Sequence, residues 1–206
     1  MKPKVLIAFY SRTGNIAQLA ETIGEGAAES GAEVRLVRVD DLAPEEVINA
    51  NAAWKASRDA QKAKYAEAQL SDLEWADAVI FGSPTRYGNM AAELKLFIDK
   101  TAGLWMQGKL VNKVGSAFTS TATIHGGNES TLITMLNPMI HFGMIIVTPG
   151  YADASVFAAG TPYGASAVVG PMADQSPTDA DHTVARFQGR RVAQITEWLL
   201  NGKGEG

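Results

Sequence analysis

The sequence predicts a three-layer, doubly wound α/β domain, in which helices cover both faces of a parallel sheet. Five apolar runs of strand length alternate with segments whose apolar residues recur at helical spacing. These runs are unbroken, which is typical of parallel strands that are buried on both faces. The predicted strands are residues 5–10, 34–39, 78–82, 114–119 and 144–147.

The helices are predicted from the same periodicity. After the first strand, Ile16, Leu19 and Ile23 lie at helical spacing and Gly31 ends the helix, so this segment and its flanking strands predict a right-handed βαβ unit. Further helices are predicted over residues 93–100, 129–141 and 179–200.

Two segments carry weaker patterns. Within residues 45–70, the stretch from 51 to 68 is rich in Ala, Lys and Gln, and we expect an excursion with a loosely held helix. Residues 151–173 are rich in Gly, Ala, Ser and Pro, and we expect a long surface excursion. Because structureless loops of that length are uncommon, both are predicted to form oligomer contacts within a single domain over residues 1–206.

Composition excludes several classes of protein. The chain has 18 Lys and Arg against 22 Asp and Glu, a formal charge of −4, so no broad basic surface for nucleic acid is expected. It has no cysteine, which excludes disulfides, thiolate metal sites and a cysteine nucleophile, and its three histidines predict no histidine-rich metal site. No apolar stretch approaches the roughly 20 residues that span a bilayer, and no signal-peptide pattern is present. We therefore expect a soluble, cytoplasmic protein without membrane insertion.

Ligands of doubly wound folds bind beyond the carboxyl ends of the strands, near a topological switch point. The loop after the first strand contains the hydroxyls of Ser11 and Thr13, the flexible Gly14 and the predicted start of a helix, which together predict a phosphate site. Arg12 is its only cation. The loop lacks the three glycines of a dinucleotide fingerprint and the lysine of a Walker loop. The alternative is an ordinary helix N-cap.

The loops after the third and fourth strands are also polar. Pro84 and Gly88 favour a fixed, unusual backbone path, while the side chains between them offer donors and an aromatic surface for a heteroaromatic ring. The loop from Thr119 onward combines hydroxyl residues with the paired glycines 126 and 127, which suits close backbone approach to a flat or phosphorylated ligand. The alternatives are a solvated turn and a flexible loop.

The segments that carry this chemistry resemble the WrbA family of NAD(P)H:quinone oxidoreductases, within the flavodoxin-like proteins. The resemblance covers nearly the whole chain and is weakest across 45–70. Its specific strings are Pro-Thr-Arg-Tyr-Gly-Asn at 84–89 and Gly-Thr-Pro-Tyr-Gly-Ala at 160–165. It implies a flavodoxin-like, five-stranded parallel sheet in the order 2-1-3-4-5, non-covalently bound FMN, NAD(P)H as reductant, a quinone substrate and a homotetramer.

The resemblance also assigns site residues by position. It implies that the FMN phosphate is held by Ser11, Arg12, Thr13, Gly14, Asn15 and Ile16. It implies that the isoalloxazine ring is lined by Pro84, Thr85, Arg86, Tyr87, Gly88 and Asn89. The ribityl chain and the other ring edge would meet Ser120, Thr121, Ala122, Thr123, Ile124, His125 and Gly126, and His141 would complete the site. Trp105 matches a position that lines the substrate cavity. The chain departs from the family at Arg12-Thr13, Ile124-His125 and Phe142.

The implied reaction is a two-electron reduction of a quinone to a hydroquinone. NAD(P)H delivers hydride to the flavin and the quinone then takes both electrons, so no side chain is assigned a catalytic role of its own. Two alternatives stay open: a flavodoxin-type one-electron carrier, against which the modest charge and Arg86 argue, and an FMN-binding regulatory scaffold. From residue type alone, His141 is more typical of a structural histidine, and Trp105 equally fits a core or subunit-interface position.

Overall fold

The computed structural model describes residues 1–202. In the first part of the chain the elements are β1 (Lys4–Phe9), α1 (Asn15–Glu29), β2 (Glu33–Arg38), α2 (Glu45–Asn49), α3 (Ala52–Lys64), β3 (Ala66–Glu67), α4 (Leu70–Trp75) and β4 (Ala78–Arg86). They are followed by β5 (Asn89–Met90), α5 (Ala92–Asp99), α6 (Ala102–Met106), β6 (Val114–Thr121), α7 (Asn128–His141), β7 (Ile145–Ile146), a 3₁₀ helix (Ala154–Phe157), β8 (Ser166–Val168) and α8 (Asp179–Gly202).

The sheet has the order β3-β2-β1-β4-β6-β7, with β5 paired to β4 and β8 paired to β6. All pairs are parallel except β4 with β5. The expectation of an α/β fold built on a parallel sheet is confirmed, and the expected count of five strands is wrong, because the described residues form eight. The three additional strands, β3, β5 and β8, have two or three residues each. Such short strands are below the length at which an apolar pattern identifies a strand.

The sheet edge beside β6 is divided between two strands. β7 pairs with Val114 and Gly115 at the start of β6, whereas β8 pairs with Thr119 to Thr121 at its end. The excursion over residues 151–173 is therefore partly interior, with Ala165, Ala167 and Val169 buried in the core. Its return to the sheet brings the residues after β8 to the carboxyl edge of the strands.

Two apolar layers enclose the sheet. On one face, α1 and α8 pack over the buried side chains of β1 and β6. On the other face, α4, α5 and α7 cover the alternate residues of the same strands. The two helices α1 and α8 touch through their backbones: a Cβ atom on Gly189 would lie 1.9 Å from the carbonyl oxygen of Ile23. Glycine is required at this crossing.

The excursion over residues 45–70 differs from the loosely held helix that the sequence predicts. One face of α3 buries Trp54, Arg58 and Gln61. The amide Nε2 of Gln61 donates to the carbonyl oxygen of Ser11 at 2.8 Å, and Arg58 donates to both carboxylate oxygens of Glu45 at 2.8 Å. Polar side chains attach this helix to the loop after β1, and such contacts leave no apolar periodicity in the sequence.

Candidate functional site

A cavity of about 450 Å³ opens at the carboxyl edge of the sheet, beside the neighbouring strands β1 and β4. The chain runs from β1 to β2 on one side and returns to β4 on the other, so this is the topological switch point. We call it the strand-end cavity. Eleven of the residues predicted for the FMN site line it: Ser11, Arg12, Thr13, Asn15, Ile16, Pro84, Thr85, Arg86, Ser120, Thr121 and Ala122.

The loop after β1 presents unpaired backbone donors to this cavity. The buried Ser11 hydroxyl oxygen accepts from the backbone N–H groups of Gly14 and Ala17, each at 3.2 Å. Gly14, with φ 94°, turns the chain into α1 in the left-handed region that favours glycine. Within residues 1–202, the N–H groups of Arg12, Thr13, Asn15 and Ile16 have no acceptor. Free donors at the positive end of a 15-residue helix form an anion site.

The charge of the strand-end cavity agrees with that geometry. Its lining contains the guanidinium groups of Arg12 and Arg86, and no carboxylate from the described residues. A phosphate dianion is stabilised by such a lining, whereas a cation is not. Together with the free N–H groups, the arginines make the residues of this chain a fit for the phosphate end of FMN.

The loop after β4 is fixed by a short hairpin. Thr85 pairs with Met90 and Arg86 with Asn89, so Tyr87 and Gly88 form a two-residue turn with φ values of 55° and 77°. The hydroxyl oxygen of Thr85 accepts from the Gly88 N–H at 3.1 Å and from the hydroxyl of Thr131 on α7 at 2.8 Å. These bonds hold Thr85 and Arg86 at the cavity. The side chain of Tyr87 is fully exposed and lies outside it.

The loop after β6 also has one part at the cavity and one part in solvent. Thr121 lines the cavity and its hydroxyl donates to the carbonyl oxygen of Thr123 at 2.8 Å, which closes a tight turn. Thr123, Ile124 and His125 are exposed and do not line the cavity. The structure therefore brings the start of this predicted segment to the site and leaves its middle in solvent.

A second cavity, of about 790 Å³, lies between α5, α6 and α7, and we call it the helix cavity. Trp105 and His141 both line it, and the indole N–H of Trp105 donates to the carbonyl oxygen of His141 at 3.1 Å. Asn89 lines it as well, and Arg86 lines both cavities. His141 is thus a neighbour of Trp105, across Arg86 from the strand-end cavity.

A family model described as NADPH-dependent FMN reductase matches residues 1–158. The chain belongs to this FMN reductase family. It is 44% identical to an NAD(P)H dehydrogenase (quinone) of Aromatoleum aromaticum, over 97% of this chain and 99% of that protein. It is 45% identical to a protein of the same name from Sinorhizobium fredii, over 96% and 99%. These relatives show that the chain belongs to the family of NAD(P)H dehydrogenases (quinone).

Solved structures confirm the flavodoxin-like fold of this FMN reductase family member. A flavodoxin, WrbA-like protein from Agrobacterium tumefaciens superposes with a TM-score of 0.68 at 24% identity, over 96% of this chain and 99% of that one. A flavodoxin from the domain Archaea gives a TM-score of 0.63 at 21% identity, over 94% and 99%. At these identities the similarity concerns the fold alone.

The sequence did not indicate one wall of the strand-end cavity. It is built by Asn51, Ala53 and Trp54 from the 45–70 excursion and by residues 169–173 after β8. The second segment is tied to the first loop, because the side-chain amide of Asn15 donates to the carbonyl oxygen of Ala173 at 2.9 Å. A Gly-Pro dipeptide at 170–171 marks a turn there. No local sequence signal places Trp54 at the site.

Trp54 is held by a buried polar contact. Its indole N–H donates to Asp41 Oδ1 at 3.0 Å, and the hydroxyl of Tyr10 donates to the same oxygen at 2.9 Å. Burial raises the pKa of Tyr10 far above its ordinary value, with further increases from the negative charges of Glu93 and Asp41. Tyr10 is therefore a neutral donor at physiological pH. Its hydroxyl holds the Asp41 carboxylate in place, and that carboxylate holds the indole of Trp54.

Neither a metal-binding cluster nor a membrane-spanning helix occurs in the part of the chain that the structure describes. Residues 1–202 contain no group of three His, Asp or Glu side chains placed to hold a metal ion. None of the helices in that range has the length and apolar character required to cross a bilayer.

Proposed function

We propose that this chain is an FMN-dependent NAD(P)H:quinone oxidoreductase that reduces quinones to hydroquinones by two-electron transfer. The observation that carries the proposal is the strand-end cavity at the switch point, with free N–H groups, two arginines and no carboxylate in its described lining. FMN, when bound, supplies the redox chemistry, taking a hydride from NAD(P)H and passing both electrons to the quinone. The protein supplies binding, orientation and charge.

Each loop has a proposed role in holding the cofactor. The loop of residues 11–16 binds the phosphate through its backbone N–H groups and the hydroxyl of Ser11. From the loop of residues 84–89, Pro84, Thr85 and Arg86 line the flavin ring, with Thr85 and Arg86 held at the cavity by their hairpin. From the loop of residues 120–126, Ser120, Thr121 and Ala122 line the cavity and meet the ribityl chain.

The helix cavity is proposed to admit NAD(P)H and the quinone in turn. Trp105 offers a half-exposed indole on which a planar substrate can stack, and His141 holds that indole through its carbonyl oxygen. Arg86 joins the two cavities and places a positive charge beside any negative charge that develops on a reduced ring.

We also propose that residues 1–202 belong to the single FMN-binding domain predicted over 1–206, whose last four residues lie outside the described part of the chain. This domain is proposed to act as a homotetramer in the cytoplasm. The exposed rings of Tyr151 and Phe157 support an oligomer contact, because they stack at 5.0 Å on the 151–173 excursion and form an apolar surface. Phe157→Ser is expected to lower the molar mass measured by light scattering. An unchanged mass would exclude this excursion as the contact.

The decisive experiment is an anaerobic absorbance titration of the FMN-loaded protein with NADH and with NADPH. We expect at least one nucleotide to bleach the flavin completely and benzoquinone to restore its absorbance. Protein stripped of FMN is the control and should oxidise neither nucleotide. If neither nucleotide bleaches a flavin that dithionite does reduce, the oxidoreductase proposal is wrong and a one-electron carrier or a regulatory scaffold replaces it.

A further inference from the structure

We propose that Arg12, held in place by Trp54, is a specificity-determining residue that makes an ionic contact with the flavin phosphate and strengthens the selection of FMN over riboflavin. Trp54 acts through Arg12 and is a positioning residue. The inference rests on the proposed function, since it concerns a ligand of the same cavity. It adds a charged contact to a phosphate loop that otherwise offers backbone N–H groups and hydroxyls.

The first step is the position of the guanidinium. Its central carbon lies 3.8 Å from the centroid of the Trp54 ring, within the range of a cation–π contact. Both residues line the strand-end cavity, together with Ser11 and Thr13 of the phosphate loop. The arginine is therefore held at the cavity wall, next to the N-terminus of α1.

The second step is that Trp54 is fixed. Trp54 is only 7% exposed, and its indole N–H donates to Asp41 Oδ1. The N-terminus of α3 is capped by Asn51, whose side chain accepts from the Trp54 N–H at 3.0 Å. A fixed ring lowers the conformational entropy that Arg12 would lose on binding an anion.

The third step is that Arg12 has no other anion to neutralise. Within residues 1–202 it forms no ion pair and no hydrogen bond. Three carboxylates of the segment between β2 and α3 have other partners: Asp40 pairs with Arg38, Glu45 with Arg58, and Asp41 with the two neutral donors described above. The donors of a half-buried guanidinium at a cavity wall are thus available to a ligand.

A phosphate is the anion that fits this position. The unpaired N–H groups of Arg12 and Thr13 lie in the loop that carries the Arg12 side chain, and both residues line the strand-end cavity. An anion in this cavity therefore has both kinds of donor beside it. The phosphate could belong to FMN or to a nicotinamide dinucleotide. The loop before α1 surrounds the position of this phosphate, which favours the flavin phosphate over that of a dinucleotide. The experiment below separates the two sources.

The test compares FMN and riboflavin binding to the apoprotein, measured by quenching of flavin fluorescence. Arg12→Gln is expected to weaken FMN binding about tenfold and to leave riboflavin binding unchanged, because one charge-assisted contact is lost. Lys55→Gln removes an equal charge from the exposed side of α3 and should change neither affinity. The FMN affinity of the wild type should also fall more steeply with salt than that of Arg12→Gln.

The role of Trp54 is tested in a double-mutant cycle with Trp54→Phe, which keeps a ring and removes the bond to Asp41. We expect about a threefold loss of FMN affinity in the wild-type background and no further loss in Arg12→Gln. Equal losses for FMN and riboflavin in Arg12→Gln, or no loss, would overturn the inference. So would a raised KM for NAD(P)H with unchanged FMN affinity, which assigns Arg12 to the dinucleotide. A wild type that binds neither flavin would instead refute the proposed function itself.

Discussion

The two cavities are built in different ways. The strand-end cavity is formed by backbone N–H groups and short polar side chains at the ends of β1, β4 and β6, and its Ser11 and Thr121 are buried. The helix cavity is formed by side chains on helix faces, and its Trp105 is 55% exposed. The strand-end cavity is the more enclosed of the two and suits a cofactor that stays bound, whereas the more open helix cavity suits substrates that exchange. Arg86 lines both cavities, so the proposed cofactor site and the proposed substrate site lie on opposite sides of this residue.

Ser11→Ala, which changes only the strand-end cavity, is expected to have the largest effect on FMN affinity. The substitution leaves the backbone N–H groups of Gly14 and Ala17 without their acceptor and removes a hydroxyl from the phosphate loop. Without this acceptor the loop no longer holds its N–H groups in place for the phosphate, and the phosphate also loses a hydroxyl donor. Contacts of this kind contribute about 1–3 kcal/mol, so FMN affinity should fall by about 100-fold. Isothermal titration with FMN measures the effect.

The matched control for this change is Ser30→Ala at the opposite end of α1, where the serine forms no side-chain hydrogen bond. It should leave the FMN affinity unchanged. Equal affinities for Ser11→Ala and the wild type would contradict the assignment of the phosphate to this loop.

Arg86→Gln tests whether the cavities are separate, because Arg86 lines both. Loss of its charge should weaken FMN binding and raise the KM for quinone, each by about tenfold. Arg190→Gln, which removes an arginine paired with Glu29 on the distant helix layer, is the control for net charge. An effect on only one of the two constants would assign Arg86 to a single cavity.

Much of the strand-end cavity could be predicted from the sequence because its parts follow buried strands. The loops at Ser11, Pro84 and Ser120 come directly after β1, β4 and β6, and the carboxyl ends of parallel strands meet at one edge. Trp54 could not be predicted in this way. It reaches the site through hydrogen bonds of α3 with Asp41 and Ser11, which join residues far apart in the chain and leave no periodic pattern.

The same reasoning explains the other differences. β8 joins the sheet after a long excursion, and its three residues are too few to identify a strand. Tyr87, His125 and His141 match a family pattern by position, yet the first two face solvent and His141 lies with Trp105. A position in a motif specifies the backbone path more firmly than the direction of a side chain.

Trp105→Ala tests the helix cavity alone, because Trp105 lines that cavity and not the strand-end cavity. Removing the indole should raise the KM for benzoquinone about fivefold and leave FMN affinity unchanged, since aromatic stacking contributes about 0.5–1.5 kcal/mol. Trp105→Phe keeps a ring and loses only the bond to His141, so its effect should be smaller. Trp198→Ala makes the same change on the exposed face of α8 and should alter neither constant. An equal change for Trp105→Ala and Trp198→Ala would exclude a role for the helix cavity in quinone binding.

Tyr10→Phe should give the smallest difference at neutral pH, where the buried hydroxyl is neutral. Burial raises the pKa of Tyr10 in the folded protein above its unfolded value near 10, so the unfolded chain loses this proton first. The free energy of unfolding of the wild type should therefore fall as pH rises above about 10, by up to about 1.4 kcal/mol per pH unit from this group. The variant should lose that part of the slope. Burial and the bond to Glu21 also raise the pKa of Tyr65. Tyr65 should therefore account for the pH dependence that the variant retains. Urea unfolding at pH 8 to 11 measures both slopes, and identical slopes would mean that Tyr10 is not the neutral donor that holds Asp41 and, through it, Trp54.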